Sequence, residues 1–373
     1  MKLSCLQKNL IQGITQVEKA ISRNSTLPIL SNILLEIDQG RLKFSATNLE
    51  LAISSWIGAR IEKPGSLTIP ARIFSSFVSS LPNKKVDLEI KGASLNIKCE
   101  NSRASIKGLP AKDFPLIPPV KKECEVNLPA PAFKRALSQV IPAVSISDSR
   151  PELSGILFKS DGQELALVAT DSYRLAEKKL LLKGANPGFK IIIPQRTALE
   201  LVKIIGDQEG EIKLIIDENQ ALFEAKNVEV VTRLIDGNFP DYERIIPEKF
   251  SRQAILDLRE FISQVKTSAI FSGVIDDVVL SFSKSRALIS SESREIGKHE
   301  AGVVAKLKGR PLEKMVLNHR YLMDGLNNIS SDQLQISFND AHTPVMLSSY
   351  HPVSVKRPKN RDFLYIVMPI KNP

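Results

Sequence analysis

The chain has 373 residues, 43% of them hydrophobic and 25% charged, the make-up of a globular protein with room for two or three domains. It has no apolar run of about 18 residues and no signal-type leader in MKLSCLQKNLIQG, so no membrane span and no secretion are expected. A net charge of +10 favours a polyanionic partner, although the basic residues are dispersed in short clusters such as Lys84-Lys85 and Lys121-Lys122 rather than gathered in a tail.

In chain order, the first predicted element is a helix: Leu6, Leu10, Ile14, Val17 and Ile21 recur at steps of three and four, as one apolar face requires. LPILSNILLEIDQGRLKFSATNLELAI (27–53) then reads as strand, glycine turn, strand and a polar Thr-Asn loop. Ile69-Pro70-Ala71-Arg72 opens a second helix with Phe74, Val78 and Leu81 on its buried face. Proline suits a helix start because its missing N–H would be unpaired there anyway. VDLEIKGASLNIKCE (86–100) reads as two strands about a turn, and Ala111-Lys112-Asp113-Phe114-Pro115 leads into a proline-rich loop.

The pattern then starts again. Phe133, Leu137, Val140 and Val144 mark a helix face, and PELSGILFKSDGQELALVATDSYRLAE (151–177) repeats the two strands and their Thr-Asp loop. Ile193-Pro194-Gln195-Arg196 opens a helix with Ala198, Val202 and Ile205 buried. EIKLIIDENQALFEA (211–225) supplies two more strands, and Asp236-Gly237-Asn238-Phe239-Pro240 closes the unit. A third round follows with Leu258, Phe261, Ile262 and Val265, then VIDDVVLSFSKSRALISSESREIG (274–297). Its last helix opens at Leu317-Asn318-His319-Arg320, with Leu322, Leu326 and Ile329 buried.

The three helix-opening motifs stand 124 residues apart, and the chain is about three such intervals long. A period this long means three domains of one fold. We expect them at 1–120, 121–250 and 251–373, each an α+β unit of two helices packed on antiparallel strands.

Arg72, Arg196 and Arg320 share one position at the start of the second helix, with Ser79, Lys203 and Asn327 seven residues on along the same face. A cation there opposes the helix macrodipole. Its threefold recurrence is either inheritance from a duplicated ancestor or a set of cations facing phosphate. Glu200 and Asp324, four residues after two of these arginines, are expected to neutralise them in part.

Nothing in the sequence assembles a catalytic centre. Cys5, Cys99 and Cys124 are far apart, and His299, His319, His342 and His351 complete no zinc pattern, so no metal is expected and the thiols read as reduced, in a cytoplasmic protein. GANPGFK (184–190) lacks the GK[ST] ending of a phosphate loop, and no GxGxxG, GxSxG or HExxH occurs. The expectation is a scaffold without enzyme activity or cofactor. An enzyme with a site between repeats stays open and would need converging titratable groups.

Several segments together resemble the β subunit of bacterial DNA polymerase III, the sliding clamp. They are Thr26-Leu27-Pro28-Ile29-Leu30, Ala169-Thr170-Asp171-Ser172-Tyr173-Arg174-Leu175-Ala176, Phe239-Pro240-Asp241-Tyr242 and Tyr365-Ile366-Val367-Met368-Pro369-Ile370, set on the threefold repeat. The resemblance implies a head-to-tail homodimer closed into a ring, helices lining the hole and double-stranded DNA passing through it without any base being read. It implies that Arg72, Arg196, Arg320 and Lys203 face DNA, with Arg23, Asn24 and Arg150 on nearby loops. It also implies a pocket for short peptides of the replicative polymerase, the clamp loader and repair proteins. Leu153, Thr170, Ser172, Tyr173, Arg174 and Leu175 would contribute to it, followed by Pro240, Arg244, Ile245 and Pro352. Ile366, Val367, Met368, Pro369 and Ile370 would complete it from the tail. Ile106 and Leu109 facing Ile270 and Phe271 is the expected subunit contact. A clamp-like paralogue that binds partners without encircling DNA is the alternative.

Overall fold

The computed structural model describes residues 1–21, 27–147, 149–184, 186–350 and 363–371. Contacts divide the chain into two compact units, one of residues 1–134 and 196–234, the other of residues 135–195 and 235–373. The division therefore cuts the middle repeat rather than following the repeat boundaries.

The first unit holds two antiparallel sheets. One has five strands in the order Arg60–Lys63, Lys2–Leu6, Lys85–Lys91, Ser94–Cys99, Ser102–Lys107. The other has eight, starting with Cys124–Pro129, Glu211–Ile216, Gln220–Ala225 and Val228–Arg233. It continues with Leu51–Ile57, Arg41–Thr47, Asn32–Asp38 and Ser66–Pro70. The ladder Val228↔Ser55 to Thr232↔Leu51 joins strands of the first and second repeats into one sheet, so two sheet edges are hidden from other chains.

Leu51–Ile57, LAISSWI, is buried at all seven positions. Its two serines are tolerated because each has a partner: Ser54 Oγ lies 3.0 Å from Ser45 Oγ, and Ser55 Oγ donates to Gln16 Oε1 at 2.6 Å. Helix α1 (Gln7–Val17) covers this sheet. Its Gly13 sits so close that an added Cβ would lie 2.7 Å from the Phe44 ring. The apolar stripe of α1 is shorter than its periodicity predicts. Leu10, Ile14 and Val17 are buried, but Leu6 is 53% exposed at the end of strand Lys2–Leu6, and Ile21 is only half-buried. Helix α2 (Ala71–Ser80) buries Phe74 and Val78 and ends at buried Leu81, as expected.

Helix α3 (Ala130–Val140) and helix α4 (Gln195–Ile205) belong to the middle repeat. Phe133, Leu137, Val140 and Val144 are fully or nearly fully buried. In α4 the expected set needs one correction: Val202 is half-buried, and Leu201 and Ile204 take the core positions beside Ala198 and Ile205. At about 100° per residue the buried positions Thr197, Ala198, Leu201, Ile204 and Ile205 form one arc centred on Leu201, and Val202 falls at its edge.

The second unit carries a twelve-stranded sheet. Its first half runs Phe189–Pro194, Gly155–Ser160, Glu164–Thr170, Arg174–Leu181, Leu364–Val367, Val345–Ser349. Its second half runs Gln333–Phe338, Arg252–Asp257, Gly297–Lys308, Arg286–Ser293, Asp277–Phe282, Leu312–Asn318. The C-terminal strand again joins two repeats, pairing Arg174↔Val367 and Leu175↔Ile366. Helix α5 (Leu258–Ala269) buries Leu258, Phe261 and Val265, with Ile262 half-buried. Helix α6 (His319–Leu326) buries Leu322 and Leu326. Asp257 caps α5 by accepting from Glu260 N, and Asn318 caps α6 by accepting from Arg320 N and Tyr321 N.

Candidate functional sites

Each of the three repeated arginines is the second residue of its helix: Arg72 in α2, Arg196 in α4, Arg320 in α6, all exposed. Ser79, Lys203 and Asn327 are exposed as well. The local electrostatics differ from the expectation. Glu200 does not serve Arg196; it binds Lys203 at 2.9 Å, the favoured order of acid before base along a helix. Arg196 instead donates from Nη2 to Ile21 O at 3.1 Å. Asp324 is drawn away from Arg320 to Arg174. Arg320 is balanced by Asp276, whose Oδ2 lies 3.0 Å from its Nε. Asp276 Oδ1 is 3.4 Å from His319 Nε2, and burial lowers the pKa of that imidazole. Among the described residues Arg72 has no ion pair. Arg150 is exposed and held by Glu152 Oε1 and Ser172 Oγ, both at 3.2 Å. Arg23 and Asn24 lie outside the described residues.

The other candidate site begins at a turn. Thr170 Oγ1 donates to Arg174 O at 2.6 Å and accepts from Ser172 N at 3.1 Å. Asp171 Oδ1 accepts from Tyr173 N and Arg174 N, at 2.9 and 3.0 Å. The turn places Ser172 at φ 77° and leaves Tyr173 63% exposed. The tail strand runs beside it, and past its end Met368 N donates to Tyr173 O and Ile370 N to Val316 O, both at 2.8 Å.

Leu153, Leu175 and Ile366 join Phe239, Tyr242 and Met346 in one buried cluster, with Ile246 packed against it. Thr170, Val367 and Pro369 are also buried. Pro240, Met368 and Ile370 are half-buried, whereas Ser172, Tyr173, Arg244 and Ile245 are exposed. Arg244 pairs with Asp241 at 2.7 Å. Pro352 lies outside the described residues. The buried set is thus a floor; Tyr173 and Ile245 stand exposed above it, and solvent reaches Pro240, Met368 and Ile370 in part.

Sequence reasoning named Arg174 as a pocket residue but missed Tyr321 and the pairing with Asp324 that hold this region together. The Arg174 guanidinium binds Asp171 at 2.9 Å and also Asp324 on α6, and lies 4.3 Å from the Tyr321 ring centre. Tyr321 stacks on Tyr173 with centroids 6.5 Å apart, and Tyr365 OH donates to Tyr321 O at 2.9 Å. Asp324 and Arg174 are 150 residues apart, and no spacing pattern could have paired them. Beneath the cluster, Tyr242 OH donates to Glu177 Oε2 at 2.8 Å; burial, then the Glu177 charge, pushes the phenol pKa far up.

Of the expected subunit-contact residues, Ile106 is buried at 7% on Ser102–Lys107, the outermost strand of its sheet. Leu109 is 40% exposed and its N–H and C=O both bond Thr68 at 3.0 Å. In the other unit Ile270, just past α5, is 66% exposed. Half-buried Phe271 stacks on His299 with centroids 5.6 Å apart.

The chain matches a known family along nearly its whole length. Residues 1–118, 127–241 and 243–371 match the N-terminal, central and C-terminal domains of the DNA polymerase III beta subunit, in that order. The beta sliding clamp of Synechococcus elongatus is 30% identical over 382 residues, covering 100% of this chain and 99% of its own length. That of Bacillus subtilis is 29% identical over 385 residues, with both chains covered in full. The crystal structure of a DNA polymerase sliding clamp from Bacillus subtilis superposes with a TM-score of 0.93 at 29% identity, covering 100% of both chains.

Proposed function

From the premise that the chain belongs to the family of DNA polymerase III beta subunits, the beta sliding clamps, we propose how its residues carry out the family's task. The protein is a DNA polymerase processivity factor and has no catalytic role of its own. It partners DNA and a polymerase, and it dimerises.

In our reading two chains close head to tail into a ring around double-stranded DNA. The observation that carries this is the recurrence of an exposed arginine at the second position of α2, α4 and α6. A ring needs weak, evenly spread attraction to phosphate rather than base contacts, because tight contacts would stop it sliding. Partial neutralisation by Asp276 and Glu200 keeps that attraction weak. Arg23, Asn24, Arg150 and Lys203 extend the same DNA-facing role. The contact of Ile106 and Leu109 with Ile270 and Phe271 is our proposal for the closing surface, and 1–120, 121–250 and 251–373 remain our division into domains.

The turn at Thr170–Arg174, the Pro240–Ile245 loop and the tail after Val367 form our proposed docking site for short peptides of the polymerase, the clamp loader and repair proteins. Met368 suits such a site because a flexible thioether adapts to different apolar side chains. No helix among the described residues is long and apolar enough to cross a membrane, and we place the protein in the cytoplasm with the chromosome it serves.

Replacing Arg72, Arg196 and Arg320 together by Ala tests the DNA-facing assignment. Retention on DNA should weaken equally for all sequences, and the log–log salt slope should fall by up to about 0.9 for each phosphate no longer neutralised. An unchanged slope would remove these arginines from the DNA-facing surface.

A further inference from the structure

The chain builds the Thr170–Arg174 turn twice. In the first unit Thr47 Oγ1 donates to Leu51 O at 3.1 Å and accepts from Leu49 N at 3.0 Å. Asn48 Oδ1 accepts from Glu50 N at 3.1 Å and from Leu51 N at 2.7 Å. Leu49 has φ 78°, against 77° for Ser172. The flanking strand matches too: Thr232 pairs with Leu51 as Val367 pairs with Arg174. Arg233 N donates to Glu50 O at 2.9 Å, as Met368 N donates to Tyr173 O at 2.8 Å. Both loops that follow begin with Phe-Pro, at Phe114-Pro115 and Phe239-Pro240.

Beside this first turn lies an open groove of about 460 Å³, lined among others by Leu49, Pro115, Leu116, Pro118, Asn219 and Arg233. That volume lies within the range of small-ligand pockets, roughly 300–1,000 Å³. Leu116 is 86% exposed and Leu49 54% exposed, two large apolar side chains left in water within one concavity. Among the chemical differences between the two places, Arg233 stands where the tail site has Met368, and Glu50 where it has Tyr173. Arg233 is exposed and makes no ion pair among the described residues.

We propose that this groove is a second peptide-docking site, and that its occupant is a short extended segment of a partner protein with leucine-type side chains followed by a carboxylate. The apolar side chains cover Leu49 and Leu116, and the carboxylate meets the free Arg233 guanidinium in a charge-assisted pair. Glu50, exposed on the same rim and also without an ion pair among the described residues, opposes that carboxylate. It makes the site selective for a single, well-placed acid rather than for acidic peptides in general. The ligand class rests on our reading of the tail site as a peptide site; the groove, its turn and its free arginine do not.

The test uses the full-length protein and a fluorescein-labelled pentapeptide, two adjacent leucines followed by aspartate, with the asparagine version as control. Hydrogen exchange should show protection at 47–52 and 115–118, separate from any at 172–175. Arg233→Gln should weaken binding to the first segments about tenfold and erase the preference for aspartate, while Glu50→Gln tightens it. Deleting Met368 to Pro373 should leave this binding unchanged. Leu116 and Arg233 are exposed, so Leu116→Asp provides a second variant that folds and should also lose it. Absence of protection at 47–52 and 115–118, or protection insensitive to both Arg233→Gln and Leu116→Asp, would overturn the proposal. Protection at these segments with none at 172–175 would support it, because the groove then binds the peptide on its own.

Discussion

Arg174 and Tyr242 show how single side chains hold together the region of the proposed tail site. Arg174 is held by two carboxylates and an aromatic face, so most of its charge is spent inside the protein, tying the Thr170 turn to α6. Tyr242 does the same from below, through its bond to the buried Glu177. Tyr242→Phe keeps the ring and removes the donor, leaving a buried carboxylate short of a partner at a cost of about 1.5–3 kcal/mol. The pH dependence has a definite sign. The folded-state pKa of Tyr242 lies above its ordinary value of 10.0, so its contribution is complete below that pH and declines as pH rises toward the folded value. Thermal unfolding should therefore show wild type ahead of Tyr242→Phe up to about pH 10, with the gap closing above it. A gap unchanged between pH 8 and 11 would mean that the phenol proton is not what the site stabilises. Cysteine chemistry has no part in this: burial pushes the Cys5 thiol up to about 12, leaving it protonated and inert.

Among the elements, α6 and the tail strand form the critical contact. Gly325 lies in α6 with its Cα against the Tyr365 ring, where an added Cβ would overlap the ring. Tyr365 is fully buried. In an open helix Gly→Ala gains about 0.5–1 kcal/mol; here overpacking of about 1–3 kcal/mol outweighs it. We predict that Gly325→Ala lowers the unfolding temperature and weakens peptide binding at the tail site together. A rise in unfolding temperature would show that α6 and the strand move apart at little cost. Deleting Met368 to Pro373 removes the backbone bonds to Tyr173 and Val316 and should abolish partner-peptide binding while the solution mass of the oligomer stays the same. Unchanged peptide affinity would exclude the tail from the site.

The elements were legible in the sequence where the signal was local. Helix faces such as Phe133, Leu137 and Val140 follow from spacing alone. So do the paired Thr-Asn and Thr-Asp turns, because a threonine and an Asx side chain can each satisfy the turn's own amides. The strand Lys2–Leu6 was not legible; its LSCL run reads equally as the start of α1, and only pairing with 60–63 and 85–91 makes it a strand. The long strand Gly297–Lys308 was missed for the same reason. The ion pairs of Asp276 and Asp324 were illegible as well, since their partners are fixed by packing rather than by position along one helix.

For the whole molecule, the threefold spacing was open to reading and the way repeats share sheets was not. The strands Val228–Arg233 and Leu364–Val367 each complete a sheet begun in another repeat, which explains why the compact units do not coincide with the repeats. The net charge of +10 adds sequence-independent attraction to any nucleic acid, inside a ring or outside it, so affinity alone cannot separate a clamp from a basic protein that merely coats DNA. Topology can. The decisive measurement is retention after loading on circular DNA, before and after the circle is cut once, at a salt concentration that suppresses ordinary electrostatic binding. We predict a complex of two chains that stays on intact circles and leaves within one sliding time after cutting. Equal retention on circular and cut DNA would contradict the account, and the arginines opening α2, α4 and α6 would then be inherited surface residues of a scaffold that does not encircle DNA.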